Sequence, residues 1–305
     1  MSFSSDTKNE IAHSRAAKPC CRSAVAAGFI RARGYVFPQG RAGIGVAMTT
    51  ENPAVARYIK TLLFERFGAS ASLHVGDCGF KKGRHAYELK VAPEKGADRL
   101  LSQLGGIGPL GAADERLYKG KCCRKAYLKG LFLGVGTVSE PEKGYNLEIA
   151  CGDEAFAYAV RRLMNSFPGI HARVRTRRGN AIVYLKNAEQ IKDTLNIIGA
   201  HAHLLKFENV MILKNIRNRT NRINNCDNAN LDRALGAANR QIEAIDRIRM
   251  EGRMDELPSH LIDMALLRLE RPEASLCELG ELLDPPIGKS AVHDRLRRII
   301  EFSRG

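Results

Sequence analysis

The feature that most constrains the fold of this chain is an internal duplication. The segment Cys20–Phe37, CCRSAVAAGFIRARGYVF, aligns without a gap to Cys122–Ser139, CCRKAYLKGLFLGVGTVS, at an offset of 102 residues. The two segments share 7 of 18 positions: Cys-Cys-Arg, an Ala, a Val, and two Gly six residues apart. Solenoid repeats are far shorter than this period. The duplication therefore predicts a pseudo-twofold domain made of two similar halves.

The pattern after each copy of the duplicated segment is also shared. Each half continues with a helix-like run, a pair of alternating segments that indicates a hairpin, and a closing helical pattern. We expect helix, hairpin, helix, hairpin, helix in both halves, with the repeated glycines where two helices meet closely. The repeats are about 20–105 and 122–200, within a domain of residues 1–215; the helix-like runs are 52–68, 95–104, 153–169 and 188–198.

The charge of the chain is strongly positive and unevenly distributed. Lys and Arg total 48 against 33 Asp and Glu, giving a net charge of +15 and favouring a polyanionic partner. Residues 1–205 hold 31 of those 48 cations but only 17 of the 33 acids. The excess charge thus belongs to the repeat domain, either as a nucleic-acid surface or as an ordinary solvated face.

One segment of the second half places three arginines on a single strand face. In the run from His171 to Arg178, Arg173, Arg175 and Arg177 alternate with smaller residues. Side chains two apart on a strand share a face, so three like charges repel unless an anion lies opposite. A phosphate backbone would supply that anion. We expect these arginines to bind DNA, the alternative being a solvated face without a ligand.

The last third of the chain shows four helical patterns. Leu231, Leu235, Ala238, Ile242, Ile245 and Ile248 form a helical stripe that we expect to be buried. A helix over 261–269 follows Pro258, and Ser275 with Glu278 form a capping box that opens a third helix. The Asp-Pro-Pro-Ile-Gly run at 284–288 must end it. Ser290 is then expected to cap a fourth helix with Val292, Leu296 and Ile299 buried.

Two short helices joined by a turn predict a helix-turn-helix DNA-binding domain at 231–305. The N-terminal residues of the second helix in such a unit face base edges. We expect base contacts from Lys289, Ser290, Ala291, His293 and Asp294, and phosphate contacts from Arg295, Arg297 and Arg298. The alternative is a helical bundle whose arginines are solvated.

An Asn-rich segment lies between the two predicted domains. Residues 215–230 contain seven asparagines, interleaved with Arg217, Arg219 and Arg222. Asn favours turns and caps through hydrogen bonds from its side chain to the backbone. The sequence therefore predicts a linker at 216–230, either a capped connector or a segment that contacts DNA.

Several stretches resemble known families. LKGLFLGVGT at Leu128–Thr137 resembles the LAGLIDADG helix of homing endonucleases. Four further stretches are similar to the WhiA family of sporulation and cell-division transcription regulators: 138–149, the Asn-rich 218–230, LCELGELLDPP at 276–286, and 289–298. The chain is identified as a member of that family. The resemblance implies an α+β fold, in which a degenerate LAGLIDADG-like repeat domain is followed by an all-α helix-turn-helix domain.

The resemblance also implies that nuclease chemistry is lost. LAGLIDADG nucleases place one carboxylate at the foot of each central helix to hold divalent metals. Val135 and Arg33 stand at those positions here, so we expect no enzyme activity, no catalytic residue and no cofactor. A function in sequence-specific transcriptional regulation follows. Three alternatives stay open: a surviving endonuclease, a non-specific nucleoid-associated protein, and a ligand-sensing switch.

The cysteines and histidines are interpreted as structural residues. Adjacent cysteines such as Cys20-Cys21 and Cys122-Cys123 do not have the spacing of two to four residues usual for zinc ligands, so we expect apolar packing and no metal. His201 and His203 are assigned to a closing loop.

Eight cysteines are too few for a disulfide scaffold, and the polar first 15 residues do not form a signal peptide. We expect a cytoplasmic, nucleoid-associated protein that binds double-stranded DNA and RNA polymerase or another transcription factor, and no membrane.

Overall fold

The computed structural model describes residues 2–14, 16, 18–77, 85–105, 115–177 and 179–305. These residues form two compact units, Met1–Lys214 and Asn215–Gly305. The first unit combines helices with two sheets, and the second is helical, so the α+β class predicted from the sequence is confirmed.

The first unit contains the predicted duplication. After helix α1 (Phe3–His13), each half has the predicted order of helix, hairpin, helix, hairpin and helix. The first half consists of α2 (Pro19–Arg33), β1 (Gly34–Pro38), β2 (Ile44–Thr50), α3 (Pro53–Phe67), β3 (Ser72–Asp77), β4 (His85–Val91) and α4 (Ala97–Leu104). The second half consists of α5 (Lys121–Val135), β5 (Gly136–Val138), β6 (Leu147–Gly152), α6 (Glu154–Asn165), β7 (Arg173–Arg177), β8 (Asn180–Leu185) and α7 (Ala188–Ile198).

The two sheets have the same topology and equivalent register. Their strand orders are β1-β2-β4-β3 and β5-β6-β8-β7, and every pair is antiparallel. Gly34 pairs with Met48 in the first sheet, and Gly136 pairs with Ile149 in the second. One face of each sheet packs on the hydrophobic core, which leaves the other face to present polar side chains.

Helices α2 and α5 meet at the glycines that the duplication repeats. A Cβ added to Gly28 would lie 2.3 Å from the carbonyl oxygen of Tyr127, and one added to Gly130 would lie 2.2 Å from that of Val25. No side chain fits at these distances, so the two backbones touch only because both positions are glycine. The predicted close approach of two central helices is confirmed.

Helix α1 was not predicted from the sequence, and it fixes the start of the next long helix. The carboxylate of Glu10 accepts hydrogen bonds from the backbone N–H groups of Ala202 (2.6 Å) and His203 (3.0 Å). It also contacts the ring Nδ1 of His203 at 2.5 Å. These residues form the first turn of helix α8 (His201–Met250), so the assignment of His201 and His203 to a loop is wrong.

The Asn-rich segment is helical, in contrast to the predicted turns. Helix α8 runs through it without interruption for 50 residues. Asn lowers helix propensity by only a fraction of a kcal/mol, and neither Gly nor Pro occurs from His201 to Leu235. Side-chain bonds within the helix add support, as Arg233 Nη1 donates to Asn230 Oδ1 at 2.8 Å.

The second unit packs three further helices against the C-terminal part of α8. They are α9 (Ser259–Glu270), α10 (Leu276–Glu281) and α11 (Lys289–Phe302). Ile245 and Ile248 of α8 are fully buried with Leu279, Leu296 and other residues of these helices. Only the C-terminal part of the stripe predicted on α8 is buried. Leu231 and Leu235 are 59% and 43% exposed.

Candidate nucleic-acid interface

A capping box fixes the start of α10, and a glycine fixes the turn between α10 and α11. Ser275 Oγ accepts from the backbone N–H of Glu278 at 3.3 Å, and the Glu278 carboxylate accepts from that of Ser275 at 2.7 Å. A Cβ on Gly280 would lie 2.2 Å from the carbonyl oxygen of Ile287. The backbone N–H of Ile287 donates to the carbonyl oxygen of Gly280 at 3.0 Å. The chain therefore passes directly over α10 before α11 begins.

The first residue of α11 is Lys289, so the N-cap is Gly288 and the cap predicted for Ser290 is wrong. No side chain caps this end of the helix. Its first backbone N–H groups are left unpaired within the helix, and the positive end of the helix dipole favours anions there. The stripe Val292, Leu296 and Ile299 is buried as predicted.

A buried arginine holds the loop between α9 and α10. Arg268 is only 2% exposed, and its Nη1 donates to the carbonyl oxygens of Ala274 (2.8 Å) and Pro272 (3.4 Å). Burial lowers the pKa of this guanidinium below its ordinary value. Arg268 thus fixes α10 relative to α9 and contributes nothing to the outer surface.

The outward face of α11 carries the residues that the sequence predicted for DNA contact. Lys289, Ser290, Ala291, His293, Arg297 and Arg298 are exposed, whereas Asp294 and Arg295 are half-buried. The guanidinium of Arg295 reaches back to the carbonyl oxygen of His260 at 3.4 Å. Arg295 is therefore directed in part toward α9.

Asp294 is paired with arginines of its own helix. Its carboxylate lies 2.5 Å from Arg297 and 3.2 Å from Arg298. The hydrogen bond from Arg297 is the main reason that the pKa of Asp294 is lowered from 3.8. The sequence suggested a contact from Asp294 to a base. The spacing of three and four residues to Arg297 and Arg298 on a helix could also have indicated these two ion pairs.

The three arginines of β7 share one face of the second sheet, as predicted. Because β7 is an edge strand, this face lies at the margin of the sheet. Arg175 forms an ion pair with Glu148 of β6, and its guanidinium lies 5.2 Å from the ring centre of Tyr184. Among the described residues, Arg173 and Arg177 form no ion pair. The anion opposite Arg175 is thus a protein carboxylate, while two of the three arginines stay open to an external anion.

The first sheet presents a less basic outer face. The hydroxyl of Tyr35 donates to the carboxylate of Glu88, and Lys90 Nζ lies 2.9 Å from the same group. These two contacts lower the pKa of Glu88 below 4.5. Sequence reasoning missed Tyr35, Lys90, Tyr184 and Glu148, although the alternation along their strands could have placed them on the outer faces.

The positions that carry nuclease carboxylates are occupied by other groups. Arg33 Nε donates to the carbonyl oxygen of Gly134 at 3.0 Å, which closes the foot of the α2–α5 pair. Val135 packs against the hydrophobic core. Within the described ranges, the one group of three or more potential metal ligands consists of cysteines at the opposite ends of these helices.

One cavity of the repeat domain lies between α1 and the first half. It has a volume of about 380 Å³ and is lined by residues of α1, α2 and α3, including His13, Arg22 and Arg57. A ligand-sensing switch was expected to need a pocket between the halves, and this cavity does not lie there.

The fold and the exposed helix define a class: a LAGLIDADG-like repeat domain joined in one chain to a helix-turn-helix domain. Three family models match, described as the WhiA N-terminal LAGLIDADG-like domain (19–107), the WhiA LAGLIDADG-like domain (124–217) and the WhiA C-terminal HTH domain (220–303). The chain belongs to the WhiA family, as predicted.

Similar proteins extend over the full length of the chain. The "Probable cell division protein WhiA" of Alkaliphilus metalliredigens is 39% identical over 99% of this chain and 98% of its own length. That of Heliobacterium modesticaldum is 41% identical, with coverage of 98% and 95%. Full-length DUF199/WhiA from Thermatoga maritima has a similar crystal structure, with a TM-score of 0.61, 25% identity, and coverage of 100% and 98%.

None of the described helices is both long enough and apolar enough to cross a bilayer.

Proposed function

We propose that this chain is a sequence-specific DNA-binding regulator that controls transcription of sporulation or cell-division genes. The observation that carries the proposal is the outward face of α11, where Ser290, His293 and Arg297 are exposed beside an uncapped helix N-terminus. A helix presented in this way fits the major groove, where its first residues face base edges. The relatives named probable cell division proteins support the assignment to that process.

The two units have separate tasks in this proposal. The outward face of α11 recognises the DNA sequence. The exposed arginines of β7 add affinity for any duplex by binding phosphates. Such a protein works at the nucleoid in the cytoplasm. Contacts with RNA polymerase or another transcription factor are part of the proposal, because a bound regulator must act on the transcription machinery.

A non-specific nucleoid-associated protein is the second candidate function. Arg173 and Arg177 favour it, since exposed cations on a sheet bind the DNA backbone without reading its sequence. The two candidates differ in a single property, which is whether some duplexes are bound more tightly than others at equal ionic strength.

Selection from a random duplex pool separates these candidates. The full-length chain is incubated with the pool at about 150 mM salt, and the retained DNA is sequenced. At this salt concentration, binding that depends only on phosphate contacts is weak. We expect an enriched motif that changes in the His293→Ala variant and is unchanged in Arg271→Ala, which removes an exposed cation that follows α9. Retention without enrichment would instead establish the nucleoid-associated protein.

We also propose that the chain has no endonuclease activity. The support is the replacement of both foot carboxylates by Val135 and Arg33, the second of which would repel a divalent cation. Supercoiled plasmid carrying the selected motif should stay intact in Mg²⁺ or Mn²⁺ at protein excess. Nicking that EDTA abolishes would contradict this.

A further inference from the structure

Four cysteines, two from each half of the repeat domain, converge at one point. Cys20 and Cys21 lie in the first turn of α2, and Cys122 and Cys123 lie at the equivalent positions of α5. All four Sγ atoms are within 4.8 Å of one another. The spacing within each pair alone does not suit a metal. The packing of α2 on α5, which the sequence does not show, brings the two pairs together at the pseudo-twofold axis.

The separations match a tetrahedral thiolate site. With metal–sulfur bonds of about 2.3 Å, a tetrahedron has sulfur–sulfur edges of about 3.8 Å. The Sγ atoms of Cys122 and Cys123 are 3.8 Å apart, and the remaining separations need to shorten by less than about 1 Å. Such distances suit a single ion and are too short for an iron–sulfur cluster, which spreads its four cysteines over several irons.

The surroundings of the cluster carry positive charge. Neither α2 nor α5 has a side-chain N-cap, and neither has an acidic residue in its first turn. Two positive helix ends therefore face the sulfurs, with Lys18 as the N-cap residue of α2 and Lys121 as the first residue of α5. This charge compensates the net negative charge that four thiolates keep after binding a divalent ion.

The exposure of the cysteines does not fit the apolar packing expected from the sequence. Cys20 and Cys122 are exposed and Cys21 is half-buried, leaving only Cys123 in the core. Free thiols gain little by gathering at a surface, whereas thiolates around a cation gain four coordinate bonds. Soft sulfur ligands in a closed tetrahedron select zinc and leave no open position for catalysis.

We propose that Cys20, Cys21, Cys122 and Cys123 bind one Zn²⁺ ion in a structural tetrathiolate site. The ion joins the two halves at the N-terminal ends of α2 and α5, while Gly28 and Gly130 join them further along the same helices. This site is distinct from the positions of the nuclease metals, which correspond to the C-terminal ends of α2 and α5.

Metal content and cobalt spectra of the full-length chain test the proposal. We expect the protein purified under reducing conditions from zinc-supplemented cells to hold one zinc per chain, measured by inductively coupled plasma mass spectrometry. After removal by a chelator, Co²⁺ should restore one ion per chain, with intense visible bands and the sulfur-to-cobalt charge transfer of tetrahedral thiolate coordination. Both measurements use the unaltered sequence.

Paired variants locate the site. Cys20→Ser with Cys122→Ser removes the two exposed ligands without touching the core, and bound zinc should fall to background. Cys226→Ser with Cys277→Ser removes two exposed cysteines elsewhere, and one zinc should remain. Circular dichroism confirms that each variant is folded.

Three results would overturn the proposal. The first is a fully reduced, metal-free chain that gives no cobalt–thiolate bands. The second is a native mass lower by the hydrogens lost in disulfide formation between these cysteines. The third is full zinc retention in the Cys20→Ser, Cys122→Ser variant.

Discussion

Asp294 lowers the positive charge that α11 carries on its outward face. Its carboxylate holds Arg297 and Arg298, so the three side chains together carry one net positive charge. The pairing also limits the positions that the two guanidinium groups can take. A residue that sequence reasoning treated as a reader of bases is thus also a positioning residue for two arginines.

Replacing Asp294 by Asn should strengthen binding to DNA of any sequence. The variant keeps the size of the side chain but releases Arg297 and Arg298 for phosphates, so affinity for a random duplex should rise several-fold at low salt. The slope of log K against log salt should steepen by about one to two. Titration of labelled duplex at four salt concentrations measures both quantities.

The control for this change is Asp263→Asn, which removes an acid of the same size from α9. It should leave the salt slope unaltered. An Asp294→Asn chain with unchanged affinity and slope would show that neither arginine approaches the DNA backbone.

Glu10 contributes stability that depends on pH. Burial alone would raise the pKa of this carboxyl, but hydrogen bonds from the His203 ring and from the N–H groups of Ala202 and His203 outweigh burial and lower it below 4.5. The folded state therefore favours the ionised form. This contribution is complete above pH 4.5 and is lost as pH falls through the folded-state pKa.

Replacing Glu10 by Gln should cost about 1–2 kcal/mol of unfolding free energy at neutral pH, because the cap on the first turn of α8 and the hydrogen bond with the His203 ring are weakened. The difference from the unaltered chain should shrink as the pH is lowered below 4.5. Urea unfolding at several pH values measures it. A difference that stays constant down to pH 3 would contradict this account.

At the scale of elements, the contact of α2 with α5 tolerates no side chain at its closest points. Gly130→Ala would place a methyl group 2.2 Å from the carbonyl oxygen of Val25, so the helices must separate. We expect a loss of about 3 kcal/mol or more, since backbone cannot move aside as a flexible side chain does. Thermal and urea unfolding report the loss.

Gly76→Ala is the matched control for this glycine. An added Cβ there meets nothing within 4 Å, so the stability should change by less than about 1 kcal/mol. Equal effects at the two positions would mean that helix contact is not what Gly130 provides.

The arginines of β7 should differ in their effect on DNA binding. Arg173→Ala with Arg177→Ala removes two cations that form no ion pair within the described parts of the chain. We expect weaker binding to all duplexes and a salt slope reduced by about two. Arg175→Ala should change the slope less, because Glu148 already neutralises that residue. Filter binding with specific and random duplexes gives the comparison, and equal slopes for the three proteins would contradict a phosphate-binding role for this strand.

At the scale of the whole molecule, the repeat allowed much of the fold to be predicted. The shared Cys-Cys-Arg and glycine positions indicated two equivalent halves, and alternation and helical periodicity then gave the order of elements within each. The capping box of Ser275 and Glu278 and the break at Pro285 likewise located α10 and α11. These features are local, so the sequence records them directly.

The features that sequence reasoning missed depend on tertiary packing. The four cysteines form one cluster only because α2 lies on α5, and Glu10 caps a helix almost two hundred residues later in the chain. The Asn-rich segment is helical because the weak preference of Asn for turns does not interrupt a helix in a run without Gly or Pro. The pairing of Arg175 with Glu148 required the register between strands, which spacing along the chain does not provide. The pairs of Asp294 with Arg297 and Arg298 have helical spacing and could have been predicted.

The glycine contact between α2 and α5 has a consequence for folding cooperativity. Each half supplies one glycine and the carbonyl that faces the glycine of the other half, so neither half has a complete interface alone. Opening either half would leave the flat glycine face of the other half in water, with the apolar residues around it. The two halves should therefore unfold in a single transition, and proteases should find no stable half-sized intermediate.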